Sequence, residues 1–125
     1  MTVGQSTNHV NSILNVLRGT SYTAFTPYLQ LHTGDPGAAG TANVSSETTR
    51  MQPTYAAPSG GSVTAPAVAW TGWDVGDETI THVSMWDAAA AGNFKISAAL
   101  ADPKAMENGD TLNITSSVSQ GPVAS

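Results

Sequence analysis

The chain has 125 residues, no cysteine and a formal net charge of −5, with four basic and nine acidic side chains. The length predicts a single domain over residues 1–125, and the lack of cysteine excludes disulfides, zinc–thiolate sites and thiol nucleophiles. The four basic residues are scattered, which argues against nucleic-acid binding, and a charged fraction of 10% is typical of a surface that packs against neighbours, since soluble domains average roughly 25%.

The first predicted element is a short helix over residues 6–18, preceded by a loose arm over residues 1–5. Ser6 or Thr7 can cap its start, and Gly19 suits a left-handed residue at its end. One apolar stripe follows from residues at the spacing i, i+3, i+4 and i+7, namely Val10, Ile13, Leu14 and Leu17. A lone helix of this length is marginal in water. We therefore expect it to pack on a sheet or on a neighbouring subunit.

The next segments predict one strand and one long excursion. Residues 27–33 alternate as a strand, with Leu29 and Leu31 facing inward and the residues between them facing outward or towards a second layer. Residues 34–37 form a turn because they combine proline with two glycines. Residues 38–61 lack a helical period, so we expect an extended loop or arm with an edge strand near residues 48–52.

The central prediction is a β-hairpin over residues 79–100. Its arms alternate with a period of two, and Asp87 and Gly92 suit the connection between them. A strand over residues 62–70 comes before it, and Pro66 favours an edge position for that strand. After the hairpin, turns are predicted at residues 102–104 and 107–110, a strand at 111–115 and a last edge strand through Val118. This pattern predicts a mainly β fold, an antiparallel β-sandwich or small barrel-like domain with one short N-terminal α-helix.

The order of these segments resembles a family of small tailed-phage virion proteins of actinobacteriophage type, which are described as tail fibre-like, minor tail or head decoration proteins. The resemblance spans residues 11–114 and rests on five stretches: 11–20 (NSILNVLRGT), 28–37 (YLQLHTGDPG), 81–93 (THVSMWDAAAAGN), 100–104 (LADPK) and 108–112 (NGDTL). It implies a structural protein of the virion, assembled in the bacterial host cytoplasm, with no catalysis and no cofactor. It also implies a homotrimer that binds the major capsid protein, or alternatively other tail proteins.

Motifs for chemistry are weak. The three histidines, His9, His32 and His82, match no metal-ligand spacing, so no metal site is expected; His9 is predicted on the helix surface and His82 near the core. Ser84, His82 and Asp87 can be drawn as a catalytic set, but no nucleophile elbow accompanies them. The acidic residues Asp74, Asp77 and Glu78 share one loop, where a solvated turn is commoner than a glycosidase pair. We expect no enzyme.

The tryptophans are the candidate contact residues. Trp70 and Trp73 lie beside acidic residues, and together with Trp86 they could stack on a sugar ring in a carbohydrate-binding module. The favoured interpretation places them in the core or in a subunit interface, where tryptophan is enriched. The sequence lacks a signal peptide pattern and any apolar run of about 18 residues, so no membrane association is expected.

The resulting expectation is a capsid decoration protein, a cement or minor capsid protein that binds the assembled head lattice as an oligomer. A tail fibre or minor tail protein is the first alternative, and an adhesion module that binds glycans is the second. The arm over residues 1–5 and the segment over residues 38–61 are expected to reach across neighbouring subunits.

Overall fold

The computed structural model describes residues 2–121, 123 and 124, which form two antiparallel sheets, one short helix and long connections. The elements are α1 (Thr7–Asn15), which continues as a 3-10 turn (Val16–Arg18), then β1 (Tyr28–His32), β2 (Ser62–Trp70), β3 (Glu78–Trp86), β4 (Phe94–Met106) and β5 (Leu112–Ser119). One sheet has the strand order β1-β3-β4, and the other pairs β2 with β5. The predicted mainly β, antiparallel fold with an N-terminal helix is confirmed, and the described residues do not close into a barrel.

The hydrophobic core lies between the two sheets. Leu31 and Ile80 are completely buried, and Trp73, in the loop before β3, retains 1% exposure. Both sheets contribute to one cluster, whose other members are Leu29, Trp70, Met85, Met106, Leu112 and Ile114. The predicted inward positions of Leu29 and Leu31 are confirmed. Burial of these apolar side chains is the main driving force that holds the sheets together.

The β3–β4 hairpin is the centre of the larger sheet, as predicted. Its pairing runs from Trp86 opposite Phe94 to Glu78 opposite Met106. Asp87 closes the connection, because its Oδ1 accepts a hydrogen bond of 2.7 Å from the Asn93 amide nitrogen and its Oδ2 accepts one of 3.0 Å from Asn93 Nδ2. These bonds favour the ionised carboxylate, so they lower the pKa of Asp87.

The predicted turn at residues 102–104 is wrong. β4 continues through it to Met106, and residues 100–103 form a bulge between the pairs Ile80–Lys104 and His82–Ala99. Aspartate and proline suit such a bulge as well as a turn, since proline donates no ladder hydrogen bond. The bulge also changes which face each residue occupies. Ile80 therefore joins Met85 in the core, although strict alternation placed it with His82.

The two strands of the smaller sheet largely follow the sequence pattern. β2 has the predicted bounds, and Pro66 lies where its register with β5 shifts, between Ala65 and Val68. Each of the two strands is an edge of its sheet, as Pro66 indicated. β5 is longer than expected, because the predicted last strand through Val118 is its continuation.

In the segment over residues 38–61, residues 43–51 lie along the outer edge of β1, whereas Ala56 bonds to Thr64 of β2. Ser45 N donates to Leu31 O at 3.1 Å, and Met51 N and Leu29 N exchange hydrogen bonds with each other's carbonyl oxygens at 3.1 and 2.8 Å. The edge strand expected near residues 48–52 is a single bridge between Met51 and Leu29. The segment's backbone is thus bonded to its own sheet rather than extended away from it.

The N-terminal arm is also bound rather than loose at residues 4 and 5. Gln5 bridges Ile96 of β4, and Ser97 N donates to Gly4 O at 2.8 Å. The arm therefore extends the β1-β3-β4 sheet by a short stretch beside residues 96 and 97, near the N-terminal end of β4. This contact fixes where α1 begins.

Candidate interaction surface

The three candidate tryptophans are covered within the chain. Trp70 and Trp73 are 3% and 1% exposed, and their Nε1 atoms donate to Thr49 O at 2.8 Å and to Gly76 O at 2.7 Å. Trp86 is 7% exposed and donates to Ser84 Oγ at 2.7 Å. Stacking on a sugar needs an open ring face, and these rings already pack on protein. We therefore assign them to the interior of this fold.

A buried histidine lies beneath Trp86. The Nδ1 of His32 donates to the carbonyl oxygen of Ala42 at 2.8 Å, so the neutral ring's Nε2 accepts the 2.7 Å hydrogen bond from Ser84 Oγ. His32 and Ser84 are 0% and 1% exposed. Burial lowers the pKa of His32, so the ring stays neutral in this polar layer on the outer face of the sheet.

The proposed catalytic set does not come together. Ser84 bonds to His32, whereas His82 Nδ1 bonds to Thr81 Oγ1 at 2.7 Å, and Asp87 holds the hairpin connection. Of the three acidic residues predicted to share a loop, Glu78 accepts hydrogen bonds from Ser45 Oγ and from the Ser46 amide. Within residues 2–121, 123 and 124, no three metal-ligating side chains cluster. The hydrogen bonds of Ser84, His82, Asp87 and Glu78 join parts of the same chain.

Arg50 joins the long 38–61 segment to the central hairpin. Its Nη1 donates to the carbonyl oxygens of Ala88 and Ala91, each at 2.8 Å, and its Nη2 reaches Gln30 Oε1 at 3.3 Å. The guanidinium also lies 4.4 Å from the centre of the Trp86 ring. The sequence analysis missed this residue, since nothing in a Thr- and Ser-rich segment indicates where a single arginine will pack.

The start of α1 is anchored on β4. Ser6 caps the helix by accepting a hydrogen bond from the His9 amide at 3.1 Å, and its own hydroxyl donates to Phe94 O at 2.9 Å. His9 is buried, contrary to the prediction of a surface position. It is buried because Tyr22 and Phe25 of the linking segment fold over its ring, with ring-centre distances of 5.6 and 6.2 Å.

Lys95 completes this anchor. Its Nζ donates to Tyr22 Oη at 3.1 Å, and Tyr22 Oη is 2.7 Å from His9 Nδ1. Lys95 also pairs with Asp87 at 3.7 Å and lies 4.7 Å from the Phe25 ring centre. Burial first, and the charge of Lys95 second, lower the pKa of His9. The start of the helix is thus joined to the hairpin by a chain of contacts from His9 through Tyr22 to Lys95.

The end of the helix is bare by contrast. Leu14, Val16 and Leu17 are 53%, 54% and 86% exposed, and we call these three residues the helix-end patch. The predicted apolar stripe exists, but only its N-terminal part meets the sheet. Exposed apolar residues scattered singly are ordinary, whereas several together mark a contact surface. The helical spacing in the sequence indicated Leu14 and Leu17 but not Val16, and it did not show which part of the stripe stays exposed.

A second apolar feature opens between the free edges of β4 and β5. It is a groove of about 380 Å³, bounded by residues 98–101 of one sheet and 115–119 of the other, and we call it the inter-sheet groove. Its apolar walls come from Leu29, Tyr55, Val83, Met85, Ile96, Leu100, Ile114 and Val118. Sequence reasoning did not find it, because it depends on how far the two sheets separate at this side.

Together the described residues form a mainly β domain with two exposed apolar surfaces, in which each buried side-chain nitrogen and oxygen has a hydrogen-bond partner. The sequence profile of a phage protein family, described as Podophage GP4 fiber I protein gp80, matches residues 4–120. The chain belongs to this family of phage tail fibre-like virion proteins. The resemblance seen in the sequence is therefore confirmed at the level of the family, and the protein is a component of the virion.

No curated protein sequence matches this chain. Among the helices of the described residues, none combines the length and the apolar character needed to cross a membrane.

Proposed function

We propose that this chain is a structural subunit of a phage fibre, which acts by assembling with copies of itself and with other tail proteins and catalyses no reaction. The observation that carries the proposal is the family match over residues 4–120. The uncovered helix-end patch supports it, because an apolar surface of this kind is stabilised when a protein partner covers it.

Capsid decoration is the second candidate. It is favoured by the low charged fraction of 10% and by a single core cluster that draws on both sheets, features that suit one compact unit seated on a lattice. In that case the major capsid protein is the partner, and a homotrimer would cover the same apolar surfaces.

Location and copy number in the virion distinguish the two candidates. We would label purified virions with a gold-conjugated antibody against this chain, then separate heads from tails and quantify the chain in each fraction by mass spectrometry. A fibre subunit is expected on the tail in few copies per particle, and the major capsid protein measured in the same fractions is the control. Many copies on the head fraction would replace the fibre proposal with capsid decoration. Absence from both fractions would contradict both.

A further inference from the structure

The helix-end patch and the inter-sheet groove are two different apolar surfaces of one chain. The patch projects outward, since Leu17 is 86% exposed. The groove is concave, and its volume of about 380 Å³ falls within the roughly 300–1,000 Å³ of pockets that receive apolar groups. Nothing in the described residues fills the groove, and nothing in them covers the patch.

The edges of the groove are also open. β4 pairs with β3 on one side, and on the other side its residues 94–97 bond to residues 4–6. Among the described residues, no strand pairs with the rest of this β4 edge, and β5 pairs with β2 alone. Ala98 lies opposite Val83 in the strand register, so both face the groove, and Ala98 leaves room there because its side chain is small. The apolar wall is therefore accessible to an incoming side chain.

The charges beside the two surfaces are opposite. Arg18 directly follows the helix-end patch, and its hydrogen bond within the described residues is a long contact of 3.4 Å with Asn15 Oδ1. Asp102 directly follows groove residue Ala101 and is exposed. The sole ion pair in the described part of the chain joins Lys95 and Asp87. Arg18 and Asp102 are thus available to form an ion pair with another chain. Two copies with a net charge of −5 each repel overall, so local pairs of opposite charge favour one relative orientation.

We propose that the helix-end patch of one copy docks in the inter-sheet groove of a second copy, with Arg18 of one chain beside Asp102 of the other. The contact joins two different surfaces, so it is heterologous: repetition closes a ring if the rotation allows and otherwise builds a filament. It deepens the proposed function, on which it rests for its place in the virion, by naming the faces through which copies assemble.

The test measures self-association of the purified full chain by sedimentation velocity over a range of concentrations. We expect Leu17→Asp to weaken association at least about tenfold, because it puts a charge into an apolar contact. Ala98→Trp is expected to weaken it similarly by filling the groove from the other side. Ala89→Asp, on an exposed loop residue outside both surfaces, is the control and should associate like the unchanged protein.

A charge exchange tests the pairing itself. Arg18→Asp and Asp102→Arg should each weaken association, and the double variant should recover most of the loss because the attraction is restored with the signs reversed. The matched control combines Arg18→Asp with Asp77→Arg, an exposed acidic residue outside the groove, and should show no recovery. Circular dichroism of each variant verifies that the fold is kept.

Several outcomes would overturn the docking. These are a wild-type chain that stays monomeric up to about 1 mM, association that Leu17→Asp leaves unchanged, or loss with Leu17→Asp but not with Ala98→Trp, which would indicate contact between helices. None of these changes where the antibody labels the virion, so the docking and the fibre proposal fail separately.

Discussion

The two flanks of this molecule differ in how completely the chain covers them. On the β1 flank, residues 42–51 lie along the strand edge and bond to it, and Arg50 ties them to the hairpin. On the β4–β5 flank, residues 4–6, the start of α1, Tyr22 and Phe25 pack on β4 at residues 94–97. The groove beside residues 98–101 stays open.

The two flanks differ in the kind of side chain that each of them presents. The β1 flank contains buried polar groups, and among the described residues each buried side-chain nitrogen and oxygen has a hydrogen-bond partner. The β4–β5 flank instead leaves apolar area in water, which is unfavourable, and the proposed docking of a second copy would bury it. Variants of the first flank should therefore change folding, and variants of the second should change assembly.

The largest expected effect is on the shared core. Trp73→Ala removes a side chain that is 1% exposed together with its hydrogen bond to Gly76, and should lower the free energy of unfolding by about 3–5 kcal/mol. Urea unfolding followed by circular dichroism measures it. Ala89→Ser on an exposed loop is the control, and a loss below about 1 kcal/mol for Trp73→Ala would show that the core does not depend on this ring.

The next largest effect is a loss of stability on the β1 flank alone. Arg50→Lys should destabilise the fold by about 2 kcal/mol, because lysine cannot reproduce both the hydrogen bonds to Ala88 and Ala91 and the flat contact with Trp86. Arg18→Lys is the matched control, since Arg18 is exposed and should change the free energy of unfolding by less than about 0.5 kcal/mol. Equal effects of the two variants would contradict the role given to Arg50.

A smaller effect is a dependence on pH. The pKa values of His32 and His9 are lowered from 6.5 by burial, so the unfolded chain binds more protons just below pH 6.5. Stability from these groups is therefore complete above that pH and is lost as pH falls through the folded-state pKa values. Urea midpoints at about pH 7.5 and about pH 5.5 measure the loss, which His9→Gln should reduce and Ala89→Ser, on an exposed loop residue, should leave in place. A midpoint that is flat or rises on acidification would sink this prediction.

The smallest effect on stability sharpens the contrast between the flanks. Leu17→Asp should change the free energy of unfolding of the isolated chain by less than about 0.5 kcal/mol, because the side chain is already 86% exposed. Thermal unfolding at a concentration where the wild type is monomeric measures it. A loss above about 1 kcal/mol would show that the helix end packs on its own chain, and the patch would then not be a free surface.

The local predictions succeeded where the sequence pattern fits only one type of secondary structure. β2 and the central hairpin followed from alternation and from turn residues, and the cap by Ser6 followed from its place before an apolar stripe. They failed where a residue type suits two structures. Asp102 and Pro103 fit a bulge as well as a turn, and His9 was placed on the surface because the sequence does not show that Tyr22 and Phe25 fold over it.

The sequence by itself determined the strand and helix pattern, the N-terminal cap, the absence of thiol chemistry and the family, because these depend on neighbouring residues and on their order. Only the tertiary structure decided that Arg50 binds the hairpin connection, that the tryptophans are interior and that the helix end and the groove remain open. The physical reason is distance along the chain: these contacts join residues far apart in sequence, and their geometry is set by how the two sheets pack, which no local pattern encodes.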